Sequence, residues 1–258
     1  MRTLNAFSCE DETLVATLDE APGTTGLLIV SGGNEIRSGA HRGMAMLAHR
    51  LAETGIPVFR YDRRGVGDST GDNGGYLTAS ADLTAAAAAF HRVAPHVTRI
   101  VGFGNCDAAS MLALFGRAAG IDTVILANPW VIEPVDDLPP AVAIRARYAE
   151  RLRDPQSWYR MIRGDIDLRK LLLGLGKLAR TAPARENGLA LRVCDAIDTW
   201  EDRAVVLLAE RDATALAFAA RYRGTARVVR FDTASHSFAG SENADALYVA
   251  IAALIAER

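Results

Sequence analysis

The chain has 258 residues, half of them hydrophobic, with 29 Lys/Arg against 31 Asp/Glu and a net charge of −2. That is ample apolar material for one large core, and an isoelectric point near 6.2 with no recognised module argues against nucleic-acid binding. No apolar run approaches the roughly 20 residues needed to cross a bilayer, and the first twelve residues turn acidic too soon for a secretory leader. Cys9, Cys106 and Cys194 are far apart with no CxxC pair, so reduced thiols in a cytoplasmic protein are expected, not a disulfide or zinc framework. Apolar runs alternate with helical patterns, the signature of βαβ units around a mainly parallel sheet. Residues 14–18 read as an early edge strand, and 26–30 as a buried strand opening into Ser31-Gly32-Gly33-Asn34. A helix over 42–54 ends at Gly55 and Pro57. A strand over 57–61 leads to the polar turn Asp62-Arg63-Arg64-Gly65-Val66-Gly67-Asp68-Ser69. The spacing then predicts a helix over 80–93, a strand over 99–103, a helix over 107–118 and a strand over 123–127.

The rhythm breaks between about 133 and 200, where no strand signal is found and basic helical stretches occur at 143–153 and 167–179. Residues 141–192 hold twelve Lys/Arg and five Asp/Glu, a local charge of +7 that leaves −9 on the rest. An insertion of this length points to a functional lid, and its charge to an anionic partner or a solvated surface. Strands at 204–209 and 226–231 then resume the pattern, with helices at 214–223 and 243–257.

The most informative stretch is Val101-Gly102-Phe103-Gly104-Asn105-Cys106-Asp107-Ala108. A strand reversing sharply into a helix strains the backbone at its apex and needs small neighbours, here Gly104 and Ala108. Cys106 stands at that apex, at the positive end of the following helix, where negative charge on sulfur is favoured. Such a nucleophile needs a base and a group that orients the base. In parallel sheets, ligand crevices lie at the carboxyl ends of strands. Asp212 follows the strand at 204–209, and His236 follows the strand at 226–231. The order Cys106, Asp212, His236 is nucleophile, acid, histidine. Asp212 also suits a helix N-cap, a role compatible with orienting a histidine. Cys9 and Cys194 have no comparable setting, and no phosphate-binding or dinucleotide glycine motif or metal-ligand spacing is present.

These segments resemble the α/β-hydrolase superfamily over almost the whole chain, and within it the hydrolases associated with exosortase A systems. The resemblance implies a mostly parallel, doubly wound sheet with a helical cap inserted after the sixth strand. Residues 1–132 and 201–258 would form the core, and 133–200 the cap. By the same matching, Cys106 replaces the usual serine nucleophile, with His236 as base and Asp212 as its orienting acid. The backbone amides of Gly33 and Asp107 would form the oxyanion hole. Asn34, Arg37, His41, Trp158 and Tyr159 are candidate substrate contacts. A cysteine nucleophile points to an ester or thioester substrate, with the acyl group passed to water or to another acceptor. No cofactor or metal is required. An acyl carrier protein or another anionic partner fits the basic cap. The competing readings are a dienelactone-hydrolase-like enzyme, whose family lacks so long a lid, and a non-catalytic receptor or scaffold.

Overall fold

The computed structural model describes residues 1–132 and 188–257. The helices expected at 143–153 and 167–179, together with Trp158 and Tyr159, lie outside the described residues. The chain divides into two compact units, one of Met1–Val131 with Arg192–Arg258 and one of Ile132–Leu191. The first contains the sheet. Its strands are β1 (Arg2–Cys9), β2 (Glu12–Asp19), β3 (Thr25–Val30), β4 (Val58–Tyr61), β5 (Arg99–Asn105), β6 (Thr123–Ala127), β7 (Ala204–Ala209) and β8 (Arg227–Phe231). They lie in the order β1-β2-β4-β3-β5-β6-β7-β8. β2 runs antiparallel to both β1 and β4, and every other pair is parallel.

Among the described residues the helices are α1 (Gly43–Glu53), α2 (Ser80–Val93), α3 (Asp107–Phe115), α4 (Gly188–Thr199), α5 (Ala213–Ala219) and α6 (Ser241–Ala256). Strand alternation sends Leu27, Ile29, Val101, Phe103, Val205 and Leu207 to one face of the sheet. There they pack with Leu47 and Leu51 of α1 and Leu247 and Ile251 of α6. The intervening positions point to the other face. Any Cβ at Gly26 would strike the Phe90 ring of α2, and one at Gly102 would strike Leu112 of α3. The glycines thus let these two helices lie close on the sheet, and the sheet is covered on both sides. Burial through every residue of β4, β6 and β7 follows from that, which is why these strands read as unbroken apolar runs.

Two expectations need correction. Residues 14–18 are not an edge strand: β2 is flanked by β1, which pairs with it along its full length. β1 alternates exposed and buried residues, and its outward Leu4 and polar neighbours hide the strand signal. Helix α4 lies in a stretch assigned to the insertion, yet Val193, Ile197 and Trp200 are fully buried. The Trp200 indole N–H donates to the Ala113 carbonyl of α3 at 3.0 Å, so the chain has rejoined the sheet unit before residue 200.

Candidate functional site

The tight turn after β5 fixes the site. Cys106 has φ 63° and ψ −125°, a backbone conformation that a residue with a side chain adopts only under constraint. The constraint is supplied locally. Its N–H donates to the Ala127 carbonyl at the end of β6, and its own carbonyl accepts from Trp130 N–H. A Cβ at Gly104 would lie 2.7 Å from the Ala108 backbone, so only glycine permits the strand to meet α3 so closely. The turn leaves the Cys106 side chain partly exposed, whereas Cys9 is buried. Burial pushes the Cys9 thiol upward and takes that of Cys194 to about 11, which makes both poor nucleophiles.

Asp212 and His236 come to the same end of the sheet from the neighbouring strands β7 and β8. The Asp212 carboxylate caps α5, accepting from Thr214 N–H and Ala215 N–H, both at 3.0 Å. The same oxygen lies 2.9 Å from His236 Nδ1. One carboxylate therefore serves as helix cap and as partner of the ring. Burial works against its charge, but His236 and the two amides outweigh it and hold its pKa below the usual aspartate value. For His236, burial again opposes the charged form. The hydrogen bond to Asp212 and the influence of the nearby Cys106 side chain prevail and push its pKa up to about 10. Asp212 and His236 are thus joined by a hydrogen bond, with the Cys106 side chain near enough to the ring to raise its pKa.

Two residues not singled out in the sequence support the ring. Asn105 donates to the His236 carbonyl at 3.0 Å, and Asn128 donates to the same carbonyl and to Asn105 Oδ1. Asn128 Oδ1 accepts from Ala209 N–H at the end of β7. Asn128 is wholly buried and has φ 43°, so it ties the ends of three strands and the histidine loop together. The sequence signal was a polar residue placed directly after the apolar run 123–127.

The oxyanion side departs from expectation. Ser31-Gly32-Gly33 does lie against the elbow, since a Cβ on Gly32 would sit 2.7 Å from the Asn105 carbonyl oxygen. The Gly33 N–H, however, is not an open donor. It donates to Asp107 Oδ1 at 2.7 Å. Arg63, whose side chain is nearly buried, approaches Asp107 Oδ2 at 3.5 Å and also donates to the Gly33 carbonyl. The Asp107 carboxylate, and not empty space, faces the amide expected to serve the hole.

Arg37, a candidate substrate contact, is engaged within the protein. Its guanidinium is held by Thr17 Oγ1, Asp62 and Asp68, and its N–H donates to Asp62, so it braces the turn after β4. Asn34 Oδ1 accepts from Asn73. His41 is exposed, at φ 51°, just before α1. A separate cavity of about 570 Å³, lined by Asp198, Glu201, Asp202, Arg227 and Glu257, lies by the start of β7, at the opposite ends of the strands from Cys106. Among the described residues no cluster of metal-binding side chains is found, and no helix is long and apolar enough to cross a membrane.

The model of the alpha/beta hydrolase family matches residues 27–250. Among solved structures, the chain resembles DcsB in complex with its substrate analogue, at 14% identity and a TM-score of 0.65, covering 100% of this chain and 99% of that one. It also resembles proline iminopeptidase from Mycobacterium smegmatis, at 15% identity and 0.62, covering 99% and 98%. Est1E from Butyrivibrio proteoclasticus, solved with ferulic acid bound, follows at 17% identity and 0.60, covering 98% of each chain. At these identities the likeness is one of fold. No curated protein matches the sequence.

Proposed function

The chain belongs to the alpha/beta hydrolase family, and on that footing we propose that it cleaves an ester or thioester through an acyl group carried on Cys106. One observation carries the reading: Cys106, held at φ 63°, helps to raise the pKa of the ring whose Nδ1 lies 2.9 Å from Asp212. The Cys106 sulfur attacks the substrate carbonyl carbon. An S–C bond forms as the C=O π pair moves onto oxygen, where backbone N–H groups stabilise the charge. Collapse re-forms the carbonyl and breaks the bond to the leaving alkoxide or thiolate, which takes the proton held by His236. The ring then removes a proton from water as the water oxygen attacks the thioester carbon. The second collapse breaks the S–C bond and releases the acid, and the sulfur–imidazole couple keeps the proton. The sum is acyl donor plus water giving acid plus alcohol or thiol.

The position of His236 suits both halves of that cycle. While the sulfur is free, Cys106 and Asp212 together hold a proton on the ring, ready for the leaving group. Once the sulfur is acylated its share of that pull is gone, and the ring is a better base toward water. A cysteine also favours thioester donors, because the intermediate is itself a thioester of similar energy. Transfer to an alcohol or amine differs only in the acceptor. We assign the basic segment 141–192 to an anionic donor such as an acyl carrier protein, and the insertion to a lid. The test is intact-mass spectrometry with p-nitrophenyl esters and acyl thioesters. The expected result is an acyl adduct on the native protein that Cys106→Ala lacks. Absence of an adduct from every donor, in folded native protein, would leave the ligand-receptor reading in its place.

A further inference from the structure

We propose that Asp107 is a gating residue, whose carboxylate must leave the Gly33 N–H before Cys106 is acylated at full rate. The inference rests on the acyl-cysteine reading above and adds a control to it. Its basis is geometric. The residue after the nucleophile contributes a backbone amide to the hole, yet here its own side chain turns back 2.7 Å onto the second donor, Gly33 N–H. An acyl oxygen gaining negative charge would need that same donor and would meet a carboxylate there. A charged acceptor holds an amide more tightly than a neutral carbonyl does, so a substrate carbonyl does not displace it on equal terms.

The carboxylate is also held from behind. Arg63 approaches its Oδ2 at 3.5 Å and donates to the carbonyl of the same Gly33 whose N–H the aspartate accepts. Loop, arginine and aspartate thus form one closed set, and the Asp107 side chain is the member on the solvent side, 15% exposed against 3% for Arg63. Among the described residues the Arg63 Nη1 atom has no hydrogen-bond partner.

The experiment compares native protein, Asp107→Asn and Asp107→Ala for the rate of Cys106 acylation by a p-nitrophenyl ester, read as adduct mass against time. Alkylation of Cys106 by iodoacetamide is measured alongside, because that reaction makes no oxyanion. The expected order is Ala fastest, on the order of 10- to 100-fold over native, with Asn between them and alkylation changing only a few-fold. Circular dichroism verifies folding, and Asp107→Asn carries the comparison if the alanine variant does not fold. Acylation no faster in either variant, or acylation and alkylation rising by the same factor, overturns the gate. The second result would mean that Asp107 acts through the charge on sulfur. In both cases an adduct still forms and the acyl-cysteine reading stands. An absence of adduct on all three folded proteins would instead remove that reading, and the gate with it.

Discussion

The two sides of the site differ in what holds them. On the histidine side the polar contacts converge on His236 and its loop. Asp212 joins His236 to the first turn of α5, and Asn105 with Asn128 fixes the histidine carbonyl to β5, β6 and β7. On the Gly33 side the contacts are just as well formed, but they take up the donor expected of an oxyanion hole: Asp107 and Arg63 together occupy the N–H and the carbonyl of Gly33. The side chain at a single position, Asp107, is what pairs the Gly33 N–H. Electrostatic preorganisation is thus as much a matter of which groups are already paired as of where they lie.

The sharpest way to break the contrast is Asp212→Asn. Loss of the carboxylate leaves the ring in the wrong tautomer, and turnover should fall roughly 10³- to 10⁴-fold with acyl donors. The same change should be visible without substrate. The His236 pKa stands raised from 6.5 to about 10, so the stability it brings is fully present below about pH 6.5 and is lost as pH rises through about 10. Urea unfolding between pH 6 and 10 should show this decline in native protein and a smaller one in Asp212→Asn. Equal slopes would mean that the carboxylate does not hold the ring's proton.

Asn128→Ala tests whether the histidine side is truly braced. It strips an acceptor from the buried Ala209 N–H and a donor from the partly buried His236 carbonyl. A stability loss of about 2–3 kcal/mol in denaturant titration is expected. A drop in turnover of roughly 10- to 100-fold should come with it, from a displaced ring. Loss of stability with unchanged turnover would demote Asn128 to a purely structural role. The smallest catalytic effect belongs to Arg37→Ala. With its guanidinium bound to Asp62 and Asp68, the arginine should matter to the midpoint of unfolding and leave KM for acyl donors within about twofold. A large rise in KM would return it to the substrate-contact role that the sequence suggested.

How far the sequence carried can be seen in particular elements. The strands at 123–127 and 204–209 and the helix at 80–93 were legible to the residue, because burial on both sheet faces leaves continuous apolar runs and the helix has its alanine stripe. β1 was not legible, since an edge strand with one solvated face mixes polar residues into its pattern. Helix α5 stops at Ala219, short of the expected 223, where arginines cap the last carbonyls. Within the candidate site, the places of Cys106, Asp212 and His236 just after strands were readable from the sequence. Asn128 was not, because its task depends on three neighbours far away in the chain.

Local chemistry alone dictated that a cysteine would stand at a forced turn between a buried strand and a helix. Glycine, alanine and β-branched residues set backbone freedom within a few positions, and those preferences act before any long-range contact forms. Only the folded sheet decided what meets that cysteine. Strand order brings β7 and β8 alongside β5 and β6, and so delivers Asp212 and His236. The loop after β3 brings Gly33 within reach of Asp107, a pairing across 74 residues that no local rule contains.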